Sequence, residues 1–79
     1  MEAYILIDAE PGMIWEVAET TLKIRGVKKT DPVAGQFDAV VYVDFVNMDA
    51  LGEIIEKIQR LKGVRRTQTL IVIPPAIRK

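Results

Sequence analysis

Apolar residues along the chain follow two kinds of spacing, and the spacing predicts the secondary structure. Residues 3–9 form a short run of β-forming apolar residues, which Pro11 and Gly12 interrupt. A helix is predicted after this break, because apolar or small residues recur at i, i+3, i+4, i+7 and i+8. These positions are Ile14, Val17, Ala18, Thr21 and Leu22.

A second helix with similar spacing is predicted in the other half of the chain. Asp49 is its predicted N-cap, and Gly63 ends it as Gly26 ends the first helix. Basic pairs at 28–29 and 65–66 follow the two helices. The helix dipole stabilises positive charges near a helix C-terminus, so these pairs are predicted to lie there. The apolar face of the second helix consists of Leu51, Ile54, Ile55, Ile58 and Leu61.

The two halves are related by an internal repeat at a shift of 37 residues. LKIRGVKKT at 22–30 returns as QRLKGVRRT at 59–67, and the strand residues at 4–6 fall on those at 41–43. Each half therefore has the order strand, helix, strand. Two such units with right-handed crossovers place both helices on one face of a four-stranded antiparallel sheet. The predicted fold is α+β, a ferredoxin-like βαββαβ plait that forms one domain over residues 1–79.

Both faces of this predicted sheet are apolar. A sheet with one face in water has strands that alternate apolar and polar residues. Residues 4–7, 39–43 and 70–73 are instead apolar at consecutive positions. Because the helices cover one face only, we expect the other face to pack against a second copy, so that the protein dimerises through its sheets.

Composition and charge exclude several classes of function. Eleven basic and 11 acidic residues give zero net charge, so no positive field is available to attract a nucleic acid directly. Cys and His are absent, which removes the usual thiol and imidazole groups for catalysis or metal binding. The sequence has neither a secretory signal nor an apolar run of the ~20 residues that span a membrane. We therefore expect a cytoplasmic protein without a cofactor.

Motifs for nucleotide or enzyme chemistry are weak. The segment at 10–13 has one glycine and lacks the Lys-Ser/Thr pair of a phosphate-binding loop. RNA-binding proteins of this fold stack bases on aromatic residues, but aromatic residues make up only 6% of the chain. Carboxylate pairs such as Asp38 with Asp44 have no spacing that distinguishes them from surface charges. The sequence thus favours a binding function over an enzymatic one.

Two features are candidates for binding a small ligand. Gly35 lies in the connection between the halves and permits close approach to the backbone, while Asp38 supplies a carboxylate just before the third strand. Thr67 and Thr69 are two residues apart on the fourth strand, so their hydroxyls project from one face. The alternative interpretation is a plain turn with a capping aspartate and two threonines that simply favour a strand.

Several segments resemble the effector-binding domain of the Lrp/AsnC transcription regulators, also called the RAM domain. They are VAGQFDAVV at 33–41 and GVRRTQTLIV at 63–72, and residues 3–18 resemble the opening of that domain. The resemblance covers nearly the whole chain. It implies a βαββαβ dimer that assembles into a ring of dimers, with small effectors, often amino acids, held between the dimers.

The same resemblance implies which residues bind the effector and where this chain differs. The family's site uses a Gly-x-Tyr-Asp loop and the start of the last strand, which correspond here to Gly35, Asp38, Thr67 and Thr69. Phe37 replaces the usual tyrosine and supplies no hydroxyl. The chain begins almost directly at the first strand, so it resembles a stand-alone RAM domain without the helix-turn-helix domain that reads DNA.

These observations lead to one main hypothesis and two alternatives. The main hypothesis is an oligomeric module that binds an amino acid and regulates transcription or amino-acid metabolism. In the first alternative, the protein co-assembles with full-length Lrp/AsnC regulators and binds no ligand of its own. The second is a small enzyme built on a dimeric barrel, which the absence of His and Cys argues against.

Overall fold

The structure, a computed structural model, describes residues 1–75, 77 and 79. Its strands and helices follow the order predicted from the repeat. They are β1 (Glu2–Ala9), α1 (Ile14–Thr21), β2 (Val27–Pro32), β3 (Ala39–Asp44), α2 (Met48–Gln59) and β4 (Val64–Ile71).

The strands form one antiparallel sheet of order β2-β3-β1-β4, with β1 paired to both β3 and β4. The predicted ferredoxin-like plait is therefore confirmed. The register places Ala3, Ile5 and Ile7 of β1 on the side of the sheet that the helices cover, where all three are fully buried. From the helices, Val17, Leu51, Ile54 and Ile58 complete this core.

The helices begin and end at residues that differ slightly from the predicted ones. Asn47 is the N-cap of α2, since its side-chain oxygen accepts a hydrogen bond of 2.8 Å from the amide of Ala50. The prediction of Asp49 as the cap is wrong, because Asp49 already lies inside the first turn. Leu22 follows the end of α1 and is 54% exposed, so the buried face of that helix is shorter than predicted.

The turns after the two helices show that the sequence repeat is also a structural repeat. Gly26 and Gly63 both have positive φ, 100° and 94°, which glycine adopts without strain. A Cβ on Gly26 would lie 2.7 Å from Ile54 of α2, and one on Gly63 would lie 2.9 Å from Val17 of α1. Ile54 and Val17 are themselves equivalent in the repeat. Each turn thus packs against the helix of the other half.

The basic pairs of the repeat lie inside strands rather than at helix ends. The register of β2 with β3 shifts between Val27 and Lys29, which leaves Lys28 without a partner residue. Arg65 is bypassed in the same way on β4, between Val64 and Arg66. The interpretation as cations at helix C-termini is therefore wrong, because both pairs lie beyond the helices and α1 has no basic residue in its last turn.

The side of the sheet away from the helices carries an apolar surface, here called the open face. In the register of the sheet Tyr4 pairs with Tyr42 on one side and Leu70 on the other, and the two tyrosine rings are 5.3 Å apart. Tyr4 is 40% exposed and Leu70 45% exposed. The structure thus agrees with the prediction that the strands are apolar on both faces. The open face consists of Tyr4, Leu6, Val40, Tyr42 and Leu70.

Candidate functional site

The connection between β2 and β3 carries the first two predicted site residues and lies beside the end of β1. The amide of Val33 donates to the carbonyl of Asp38 at 2.8 Å, which closes residues 33–38 into a loop. The amide of Asp38 in turn donates to the carbonyl of Ile7 at 2.8 Å. The loop is therefore held against the sheet at its Asp38 end, while its middle extends into solvent.

Asp38 has a structural role, but this role differs from the local turn cap that the sequence offered as an alternative. The strand register shifts between Asp8 and Ala9, and the amide of Ala9 is bound by Oδ2 of Asp38 at 2.8 Å. The half-buried carboxylate thus satisfies a donor at the irregularity. Its second oxygen, Oδ1, makes no hydrogen bond to any residue that the structure describes. That oxygen is available to a further donor.

Gly35 is at the exposed part of the loop. A Cβ added there would have no atom within 4 Å, so the backbone at this point is open to an approaching group. Within the described part of the chain, the amides of Ala34, Gly35 and Gln36 make no hydrogen bond. The loop therefore offers backbone N–H donors to a ligand.

A cluster that the sequence did not reveal joins this loop to β4. The guanidinium carbon of Arg66 lies 5.1 Å from the centroid of the Phe37 ring, and its Nε is 3.9 Å from Oδ2 of Asp8. Arg66 and Asp8 are paired in the register of β1 with β4. The arginine side chain is still 65% exposed, which leaves its terminal nitrogens open to solvent. From the repeat, Arg66 could be identified only as a basic residue after a helix. Its neighbours could not be predicted, because they depend on strand register.

Thr67 and Thr69 lie on the other side of the sheet from this cluster. They pair with Ile7 and Ile5, whose side chains face the helices, and Thr67 Oγ1 accepts a hydrogen bond of 3.1 Å from Gln59 of α2. Strand β1 separates Thr67 from the start of β3, a distance of about 9–10 Å over two strand spacings. The structure brings the two threonines together and Gly35 together with Asp38, but it does not join these two pairs within one chain.

The arrangement is suited to binding. The loop supplies the Asp38 carboxylate and open amides, and its Phe37 ring contacts Arg66. Groups of both signs suit a small molecule that carries both charges. Among residues 1–75, 77 and 79 no group of acidic side chains has the geometry of a metal site. No helix in that part of the chain is long and apolar enough to cross a membrane.

Comparison with known proteins relates the chain to the ligand-binding domain of a family of transcription regulators. The family model for the Lrp/AsnC ligand-binding domain matches residues 2–78. An uncharacterized HTH-type transcriptional regulator from Pyrococcus furiosus is 40% identical over 73 residues. That match covers 87% of this chain and 49% of the regulator. The chain thus spans about half the length of the curated relatives it matches.

Solved structures share the fold over nearly the whole chain. A protein from Thermus thermophilus has a TM-score of 0.90 and 26% identity, with 98% of both chains covered. A transcriptional regulator from Neisseria meningitidis, solved as a complex with L-Met, has a TM-score of 0.84 and 19% identity. The likeness covers 98% of this chain and 52% of that regulator, and it concerns the fold alone. On the match to residues 2–78, the chain belongs to the Lrp/AsnC ligand-binding domain family.

Proposed function

We propose that this protein is an oligomeric effector-binding module that binds an amino acid and regulates transcription or amino-acid metabolism, without catalysis and without direct contact with nucleic acid. Its membership of the Lrp/AsnC ligand-binding family supports a regulatory role. The observation that carries the ligand assignment is the loop at 33–38. It has one Asp38 carboxylate oxygen without a hydrogen bond, open amides near Gly35 and a Phe37 ring that contacts Arg66. We place its action in the cytoplasm.

The open face supports self-association. Its centre holds partly exposed aromatic and aliphatic side chains, and ion pairs border it, one between Lys29 and Asp31 at 3.3 Å. An apolar centre with a polar rim is the pattern of a protein interface. Two copies packed through these faces form a dimer, and further contacts between dimers form a ring. The loop at 33–38 is at the margin of the open face, next to where another copy would lie.

The proposed ligand is held by groups from two copies of the chain. Asp38 accepts hydrogen bonds from the ammonium group, and the amides near Gly35 donate to the carboxylate. Thr67 and Thr69 contact the rest of the ligand, but they lie across β1 from the loop. We therefore assign the threonine contacts to a different copy from the one that supplies the loop, which explains why a ligand would sit between dimers.

A thermal-shift screen of the twenty amino acids tests this function. A ligand that binds only the folded state adds about 2.7 kcal/mol of stability at a concentration of a hundred times its Kd. This added stability raises the melting temperature. We expect one or a few amino acids to stabilise the protein and the others to leave it unchanged. Equal melting temperatures across the whole screen would contradict the proposal.

A second function is a structural one, in which this protein co-assembles with full-length Lrp/AsnC regulators. The open face favours it, because the relatives contain a segment of the same family that would present a similar sheet. Mixing the protein with such a regulator separates the two functions. Mixed oligomers together with a flat amino-acid screen would support co-assembly, and ligand-dependent stabilisation without mixing would support sensing.

A further inference from the structure

The two halves of the molecule differ at one point where their repeat predicts a match. Gly63 packs against the side chain of Met13, and a Cβ on this glycine would lie 3.0 Å from Met13 Cε. Residue 50, which corresponds to Met13 at the 37-residue shift, is alanine. No atom of Ala50 is among the nearest neighbours of Gly26. A methionine side chain thus fills the space beside one turn, while the equivalent space in the other half lacks it.

The unfilled space is a hollow of about 340 Å³ at the opposite end of the sheet from the loop at 33–38. This volume falls in the lower range of small-molecule sites. Its floor includes Phe45 and Ile54, which are 4% and 6% exposed. Its walls come from the turn after α1, the end of β3 and one face of α2. The lining residues are Arg25, Gly26, Asp44, Phe45, Val46, Ala50, Glu53, Ile54 and Lys57.

Charged side chains of both signs border this apolar floor. Within the described residues, Arg25, Glu53 and Lys57 make no ion pair, even though Glu53 and Lys57 are one helical turn apart. By contrast Glu56 and Arg60, at the same spacing on α2, are 2.7 Å apart. Asp44 is 3.3 Å from the N-terminal ammonium group. The rim therefore offers separate positive and negative groups to a ligand.

We propose that this hollow is a second ligand site, which binds a free amino acid with an unbranched apolar side chain of about the length of methionine. The side chain occupies the space that Met13 fills in the other half. The ligand carboxylate meets Arg25, and its ammonium group meets Glu53. The proposal does not depend on the function assigned to the loop at 33–38, because the two sites share no residue.

Calorimetric titration of the full chain with L-methionine, L-norleucine and L-alanine tests the ligand class. Methionine and norleucine are expected to bind at least tenfold more tightly than alanine, because each buried methylene adds about 0.8 kcal/mol. Failure of methionine and norleucine to bind at millimolar concentration would overturn the proposal, as would equal affinity for alanine.

Variants place the binding in the hollow. Ala50→Met introduces the side chain that fills the equivalent space, so it should abolish methionine binding while the folded state keeps its stability. Arg25→Met should weaken binding about tenfold or more through loss of a charge-assisted hydrogen bond. Lys62→Met is the matched control, because Lys62 is equivalent to Arg25 in the repeat but lies beside the filled space, and it should leave affinity unchanged.

The outcomes separate this site from the loop. Loss of methionine binding in Ala50→Met with normal binding in Asp38→Asn supports the hollow. A thermal shift that Ala50→Met removes then belongs to the hollow, and one that Asp38→Asn removes belongs to the loop. Wild-type affinity in both Ala50→Met and Arg25→Met overturns the hollow and leaves the loop proposal standing. A change of oligomeric mass in Ala50→Met without a change in affinity would mean that a second copy occupies the hollow, which also overturns the proposal.

Discussion

At the scale of single residues, one carboxylate oxygen of Asp38 makes a structural hydrogen bond and the other is available to a ligand. Oδ2 binds the amide of Ala9, whereas Oδ1 makes no hydrogen bond in the described part of the chain. Sequence reasoning left two interpretations open, a ligand contact and a capped turn. The structure does not show the capped turn, because Oδ2 binds the amide of Ala9 on β1 instead of an amide of its own loop. This contact leaves Oδ1 available, so the structural contact and a ligand contact are compatible in one carboxylate.

Two substitutions at Asp38 separate these roles. Asp38→Asn keeps a neutral oxygen acceptor for the Ala9 amide, so stability should fall by about 1 kcal/mol or less, while loss of charge should weaken amino-acid binding about tenfold or more. Asp38→Ala should weaken binding and also lower stability by about 1–3 kcal/mol, since it leaves a half-buried donor unpaired. Urea unfolding and calorimetric titration measure the two quantities. Wild-type affinity in Asp38→Asn would contradict the ligand role, and Asp49→Asn on α2, away from the loop, is the control for affinity.

At the scale of elements, the repeat and the apolar spacing predicted the strands, the helices and their order. They did not predict strand register, because β4 has an irregularity opposite β1. At this irregularity Arg65 has no partner residue on β1. Register decides which residues share a face. It therefore placed Arg66 beside Phe37 and turned Thr67 toward α2, and neither neighbour follows from apolar spacing. For the same reason, the predicted site residues fell into two separate pairs.

The start of α2 shows how local competition decides an element boundary. Asn47 and Asp49 are both good capping residues, but only Asn47 has the extended backbone of an N-cap, with φ −156° and ψ 174°. Asn47→Ala should therefore lower the free energy of unfolding by about 1 kcal/mol. Asp49→Ala should lower it by less, about 0.3–1 kcal/mol, through its favourable charge near the helix N-terminus. Urea denaturation of both variants measures this, and a larger loss for Asp49→Ala would contradict the assignment of the cap.

At the scale of the whole molecule, the helices cover one side of the sheet and leave the open face without a second layer. A small domain gains stability when it buries such a surface against a second copy. We expect light scattering to give a mass no smaller than a dimer at micromolar concentration. The melting temperature should also rise with protein concentration, because association stabilises the folded state by mass action.

A pair of aromatic substitutions tests which surface is responsible. Tyr4→Glu puts a charge at the centre of the open face and should give a monomer with a lower melting temperature. Trp15 on α1 is more exposed, at 70%, but it is not on the sheet, so Trp15→Glu should keep the mass of the wild type. A dimeric Tyr4→Glu protein, or a monomeric Trp15→Glu protein, would mean that association uses another surface.

The reciprocal packing of the two turns has a consequence for how the chain folds. Gly26 fits against Ile54 and Gly63 against Val17, so each half completes the turn of the other. The sheet has the same character, since β1 from the first half lies between β3 and β4 from the second. Neither half has a sheet or a core of its own. The chain must therefore gain and lose its structure as one cooperative unit, and half of it is not a smaller version of the protein.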